Sequence, residues 1–387
     1  ENLRGNAGSS ERGLRRPAVA GGQADIGKRR KGMKDRIYVC HTFYHVYVAS
    51  LKELNLPEEE RGRADMVLST MSCDFGSLQE RLSQSGLYGQ VFTFEEQEES
   101  RLPGLARYHK DRGNLVLNML SRMLFCKKLG AAQEKYVPVD FRQYRDIYVF
   151  CDSDPIGYYL SWKRIRYHAL EDGLDCIRYY DTARYDNRGH FKLKALLAAW
   201  NLIFIQNGWG KYCIDMEVND ISVLPYPCPK YIECPRERLV EALTEEGKDC
   251  LLGIFLENKE RLVGQLTSGA HHENKILILT EPLCDLETRE RIFRDIIAEY
   301  GQGAQVILKP HPRDILDYER LFDGCVVLPG KFPMEMMNFL PDIQVEKVIS
   351  VFTVPDSIHF AKEKVFLGED FMDRYEAPEI HRQNEAI

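Results

Sequence analysis

A histidine locked between two prolines is the sequence's clearest chemical signal. Lys309-Pro310-His311-Pro312-Arg313 directly follows the apolar run VIL. Proline fixes φ and offers no N–H to a sheet, so the chain must leave a strand there. An imidazole held rigidly among cations can bind a phosphate or protonate one as it leaves; the plainer alternative is a turn histidine. Glu171-Asp172-Gly173 sets two carboxylates side by side. Their repulsion makes one hold its proton more tightly, which suits a general base; otherwise the segment is a solvated acidic turn. Ser350-Val351-Phe352-Thr353 closes another apolar run, and Pro355-Asp356-Ser357 reads as a helix start. Hydroxyls and N–H groups at such a start bind phosphate, or Asp356 or Ser357 merely caps the helix. Glu335 follows the run CVVL through a Pro-Gly-Lys-Phe-Pro loop. It can accept hydrogen bonds from ribose hydroxyls, or it is a first-turn glutamate favoured by the helix dipole.

These side chains need elements to hold them, and the pattern supplies strands alternating with helices. Strands are expected at Arg36–His41, Met66–Thr70, Gln90–Phe94 and Asp146–Cys151, with helices at Thr42–Leu54, Leu78–Ser85 and Leu115–Leu129. Asn114 is the expected cap of the last helix and Gly130 its stop. The second half repeats the theme, with strands at Lys275–Leu279, Gln305–Leu308, Cys325–Leu328, Val348–Phe352 and Val365–Leu367 and helices at Glu287–Tyr300 and Asp314–Leu321. Alternation of this kind predicts an α/β fold with parallel sheets covered on both faces. The aromatic, then Pro-rich stretch from Asp181 to Cys234 disfavours long regular elements and marks a boundary near 235. Three segments result: a disordered basic leader over 1–32, an N-terminal Rossmann-like domain over 33–235, and a C-terminal Rossmann-like domain over 236–387. Ligands in open α/β sheets bind beyond the carboxyl ends of the strands, where all four candidate sites lie.

Composition narrows the function further. Of 387 residues 44% are hydrophobic and 29% charged, as in a soluble globular protein. Net charge is −7; residues 1–32 carry eight Lys/Arg against three Asp/Glu, a net of +5, which leaves −12 on the rest. So acidic a body is not a nucleic-acid binder. Eleven cysteines with no CxxC offer no zinc set and predict a reducing, cytoplasmic setting. No apolar stretch is long enough to span a bilayer, and the N-terminus has no secretory h-region. Phe191–Trp209 surrounds an apolar middle with Lys192, Lys194, Trp200 and Trp209, which predicts a helix lying on lipid headgroups, a buried core helix or a dimer face. GxGxxG, GxxxxGK[ST], HExxH and GxSxG are all missing, against a dehydrogenase, a P-loop NTPase, a zincin and an α/β-hydrolase.

Taken in order, EDG, LTEPL, KPHPR, FPxE and a strand ending in Ser/Thr resemble the bacterial sialyltransferases, most closely glycosyltransferase family 52, the lipooligosaccharide sialyltransferases, with part of the pattern shared by capsular polysialyltransferases. The resemblance covers about residues 34–370, its motifs 166–357. It implies a GT-B fold of two Rossmann-like domains facing a cleft, with 33–235 on the acceptor side and 236–387 binding the nucleotide-sugar donor, and an inverting, metal-independent transferase moving sialic acid or a related sugar from a CMP-activated donor to a glycan or glycolipid acceptor. No cofactor is implied beyond that donor; a homodimer and peripheral membrane contact are compatible with it. By the resemblance Glu171 or Asp172 is the base, His311 meets the CMP phosphate, Glu335 contacts the ribose, and Thr353 and Ser350 supply phosphate-binding hydroxyls. Lys309, Pro312 and Ser357 join them at the donor, and Asp285, after LTEPLC, is a second base candidate. His41 and His45 are expected on the acceptor side, or as core or turn histidines. The alternatives are a transferase using another nucleotide sugar, CMP-ulosonic acid or UDP-hexose, and a non-catalytic glycan- or nucleotide-binding protein of the same fold.

Overall fold

The computed structural model describes residues 33–150, 152–173, 177, 189–267, 274–340 and 343–381. The leader expected over 1–32 lies outside the described residues. From the N-terminal side the described chain forms β1 (Lys34–Cys40), α1 (Phe43–Leu54), β2 (Ala64–Ser69), α2 (Leu78–Gln84), β3 (Tyr88–Phe94), α3 (Leu115–Gln133), β4 (Tyr144–Phe150), α4 (Pro155–Lys163), β5 (Tyr167–Leu170), α5 (Phe191–Ala199), β6 (Cys213–Val218) and β7 (Tyr231–Glu233). Three helices follow, α6 (Arg236–Glu241), α7 (Glu245–Phe255) and α8 (Lys259–Thr267). Next come β8 (Lys275–Leu279), α9 (Leu286–Tyr300), β9 (Gln305–Lys309), α10 (Tyr318–Leu321), β10 (Val326–Val327), β11 (Val345–Ser350), β12 (Ala361–Phe366), α11 (Gly368–Met372) and α12 (Pro378–His381). The strands make two sheets, ordered β3-β2-β1-β4-β5-β6-β7 and β10-β9-β8-β11-β12. Every pairing is parallel, for example Val39 opposite Val149 and Ile278 opposite Ile349. Two parallel α/β sheets in one chain are the GT-B-like architecture expected above.

Local sequence explains most of these elements. β2, β8 and β9 are largely apolar and buried, as strands covered on both faces must be, and β1, β4 and β11 carry charged residues in their first halves but end in largely apolar, mostly buried halves. Asn114 caps α3 as expected, accepting the Val116 and Leu117 N–H groups. Gly130 does not stop that helix. It is a crossing point: a Cβ there would stand 2.5 Å from the Tyr158 carbonyl oxygen on α4. The stretch read as irregular contains β6 and β7, and the helix expected at Asp314–Leu321 is helical only as α10. Asp314 instead pairs with Arg289 at 2.7 Å and takes the Tyr318 hydroxyl, which holds the preceding residues as a turn. The apolar stretch 191–209 divides. Leu193, Leu196 and Trp200 are exposed, whereas Ile203, Phe204 and Ile205 are buried and Trp209 packs edge-on against Phe191. Among the described residues no helix is long and apolar enough to cross a membrane.

One hydrophobic cluster runs between the sheets. It joins Tyr38, Cys40 and Met66 of the first sheet and Leu277, Ile307 and Val348 of the second through Leu251, Leu252 and Phe255 of α7. Each sheet reverses its strand order once, between β1 and β4 and between β8 and β11. The loops at such a reversal diverge to opposite faces and leave a crevice at the carboxyl ends.

Candidate functional site

A cavity of about 610 Å³ opens where the two crevices meet. The first sheet contributes His41 to His45 after β1, Asp154 after β4 and Asp172 after β5. The second contributes Thr280 after β8, Lys309 to Arg313 at the end of β9, Phe332 to Glu335, and Thr353 after β11.

On the first wall, the sequence of α1 sets the histidine geometry. Thr42 caps the helix by accepting the His45 N–H, which fixes His45 in the first turn. Its Nδ1 accepts the His41 N–H at 3.0 Å, so the neutral ring carries its proton on Nε2, and that nitrogen meets an Asp172 carboxylate oxygen. The ring also stacks on Phe150 with centroids 4.5 Å apart. Burial holds His45 below its ordinary pKa, and the neighbouring His41 charge reinforces this against the pull of Asp172. His41 goes the other way. Burial disfavours its charge, but Glu96 at 2.8 Å and Asp154 at 3.5 Å outweigh it and raise the pKa to about 9. Glu96 is itself held by the Ser69 hydroxyl at 2.7 Å and the Ile156 N–H at 2.6 Å.

The two adjacent carboxylates part company. Asp172 lines the cavity, its side chain 32% exposed. Glu171 is buried and accepts the Asn219 N–H at 2.9 Å, and burial raises its pKa. It forms no part of the cavity wall.

On the second wall, His311 is gripped through its backbone and its ring. Its N–H donates to Thr280 Oγ1 at 3.2 Å, and its Nδ1 accepts the Arg313 N–H at 3.1 Å. Burial, joined by the Arg313 and Lys309 charges, lowers its pKa to about 4. At neutral pH the ring is therefore uncharged with its proton on Nε2, a hydrogen-bond donor rather than a standing cation. Lys309 is buried, and its ammonium donates to the Pro310 carbonyl at 3.0 Å and the Gly330 carbonyl at 2.8 Å. It ties the His311 loop to the loop leading to Glu335. Burial lowers its pKa to about 7. Glu335 accepts the Ser357 hydroxyl at 3.2 Å, and burial raises its pKa.

The expected phosphate site after β11 is built differently from the sequence reading. Pro355–Ser357 is a single 3-10 turn with no side-chain cap, not the start of a long helix. The N–H groups ahead of it are already committed: Phe352 donates to both Glu281 oxygens at 3.1 Å and Thr353 to one at 2.7 Å. Thr353 still lines the cavity; Ser350 is buried outside it, and Ser357 props Glu335. Pro312 lines the cavity. Asp285 sits outside it as the cap of α9, where its two oxygens take the Thr288 N–H and hydroxyl at 2.9 Å and those bonds hold its pKa low.

Sequence reasoning quoted Thr280 and Glu281 within LTEPL without giving either a role, and passed over Glu96 and Asp154. Glu281 gave a usable signal, since it stands directly after the buried strand KILIL and one threonine. Glu96 gave none, because its partners lie 27, 55 and 60 residues away.

Several known proteins are similar to this chain. An uncharacterized protein of Haemophilus influenzae is 29% identical over 120 residues, 30% of this chain and 35% of that protein, so the match spans about a third of the relative's length. An α/β-galactoside α-2,3-sialyltransferase of Photobacterium phosphoreum superposes over 86% of this chain and 91% of its own, at 15% identity and a TM-score of 0.49. The GT-B domain of a Photobacterium damselae sialyltransferase does so over 83% and 86%, at 13% identity and 0.46. Residues 117–365 match glycosyltransferase family 52. That span runs from the first turn of α3 into β12 and takes in Asp172, His311, Glu335 and Thr353, and by it the chain belongs to glycosyltransferase family 52.

Proposed function

We propose that this glycosyltransferase moves sialic acid, or a closely related sugar, from a CMP-activated donor to a hydroxyl of a cell-surface glycan or glycolipid, with inversion at the anomeric carbon. The observation that carries the reading is the opposition across one cavity of Asp172, braced by His45, and the His311–Glu335–Thr353 wall. In this scheme Asp172 accepts the proton of the acceptor hydroxyl, whose oxygen attacks the anomeric carbon. The bond to the phosphate oxygen breaks on the opposite side, and CMP departs. The His45 Nε2–H orients the Asp172 carboxylate for this task. His311 donates its Nε2–H to the departing phosphate. A preorganised neutral donor stabilises charge that grows during the step without drawing on a ground-state ion pair. In the same scheme Glu335 accepts from the ribose, and Lys309 ties together the loops that carry His311 and Glu335.

The test is direct. The purified chain is incubated with CMP-sialic acid and a galactose-terminated acceptor in the presence of a metal chelator, and the product is read by mass. A sialylated product is expected from the native protein. No product from CMP-sialic acid, together with turnover of a UDP-hexose, would overturn the donor assignment. Binding of the nucleotide without transfer to any acceptor would point to a non-catalytic binding protein.

A further inference from the structure

Two helices carry apolar side chains that the core does not use. α3 exposes Val116, Leu117, Leu120 and Leu124, and α5 exposes Leu193, Leu196 and Trp200; Val116 and Trp200 are 66% and 60% exposed. The spacings 117-120-124 and 193-196-200 each describe one helix face. The opposite faces of the same helices pack into a single cluster, where Phe125, Cys126 and Leu129 of α3 meet Ala198 of α5 and Phe204 just beyond it. Phe204 fastens the junction: its N–H reaches Cys126 Sγ at 3.3 Å, and its carbonyl accepts from Arg122 at 3.3 Å. Both stripes therefore rise from one region of the surface.

Within the two stretches themselves the charge is of one sign. Residues 112–133 contain Arg112, Arg122, Lys127 and Lys128 and neither Asp nor Glu, and residues 189–214 contain Lys192, Lys194 and Lys211 and again neither. Lys127, Lys128, Lys192 and Lys211 are exposed. In a protein of net charge −7, stretches this long without an acid are a departure from the surrounding composition. Exposed apolar stripes carrying these cations, with the Asp111 carboxylate at Asn118 the acid that touches α3, complement an anionic headgroup layer over an apolar interior. A partner offering acidic groups alone would have no use for the leucines and the tryptophan beside the lysines.

We propose that α3 and α5 form a docking face for an anionic lipid bilayer surface. The inference does not depend on the identity of the donor or acceptor sugar, and its test contains neither. The full chain is sedimented with phosphatidylcholine vesicles with and without phosphatidylglycerol, at low and high salt. Binding is expected only to the phosphatidylglycerol vesicles and is expected to weaken with salt. Lys127→Gln with Lys128→Gln should weaken it roughly 30-fold, at about a fivefold loss for each surface cation. Leu120→Asp with Leu124→Asp should abolish it while thermal unfolding shows the fold intact. Absence of binding to either vesicle, or binding unaffected by both double variants, would overturn the proposal. So would a concentration-dependent dimer, seen by sedimentation in solution, that Leu120→Asp with Leu124→Asp dissolves, because the face would then belong to a second copy of the chain.

Discussion

Asp172 and its neighbour Glu171 should answer differently to substitution, because one faces the cavity and the other holds a loop. Asp172→Asn keeps an acceptor for the His45 Nε2–H but loses the proton acceptor, and turnover should fall by about 10²–10⁴ with the unfolding midpoint retained. Glu171→Ala leaves the half-buried Asn219 N–H without its carboxylate. It should cost about 1–3 kcal/mol in denaturant unfolding, with a smaller loss of turnover per folded molecule. The reverse ranking in turnover would move the base to Glu171. His41 sets a pH dependence. Its folded pKa, about 9, lies above the ordinary 6.5, so the charged form stabilises the fold fully below pH 6.5 and that contribution is lost as pH rises through about 9. The loss is roughly 3 kcal/mol, and His41→Gln should flatten the fall in denaturant midpoint across that window. At this scale the sequence was informative where a candidate residue follows an apolar strand, as with His311, Asp172, Glu335 and Thr353, which line one cavity. It could not apportion Glu171 and Asp172, since adjacency says nothing about which one turns toward Asn219. Nor could it show that Glu281 already occupies the amides of Phe352 and Thr353, a pairing across 71 residues of chain.

At the scale of elements, two helical glycines make opposite predictions. Gly→Ala in an open helix normally stabilises by up to about 1 kcal/mol. Gly253 on α7 has open space, with nothing within 4 Å, where a methyl group would stand, so Gly253→Ala should raise the unfolding midpoint. Gly130 on α3 faces the Tyr158 carbonyl at 2.5 Å, so Gly130→Ala should instead cost about 1–3 kcal/mol as α3 and α4 are forced apart. Equal effects at the two positions would remove the α3–α4 crossing from the account. The same glycine shows where sequence reading fails. Out of context, a glycine after an apolar helical run is a stop, and only the neighbouring helix reveals it as a contact. β6 and β7 were hidden for a related reason. Cys213–Val218 is short and half polar, and the prolines that follow it outweighed its alternation. The strongly apolar strands β1, β4, β8 and β9 were legible because burial on both faces demands continuous apolar sequence.

Over the whole molecule, two parallel sheets place their strand-order reversals against one cavity, so that the Asp172–His45 pair and the His311–Glu335–Thr353 wall come from distant parts of the chain. Neither sheet holds a complete site, and a nucleotide seated on the second should be recognised with the first sheet's residues unchanged. The neutral, doubly anchored His311 and the half-buried Glu335 suit a nucleoside monophosphate with a free ribose. The proposed donor requires a CMP site that contains His311. The measurement that tests it most directly is calorimetric titration of the full chain with CMP, UMP and GMP in the presence of a chelator, repeated on His311→Ala. Selective CMP binding that the substitution removes is the predicted result; preference for UMP, or no nucleotide binding by the native chain, would contradict it.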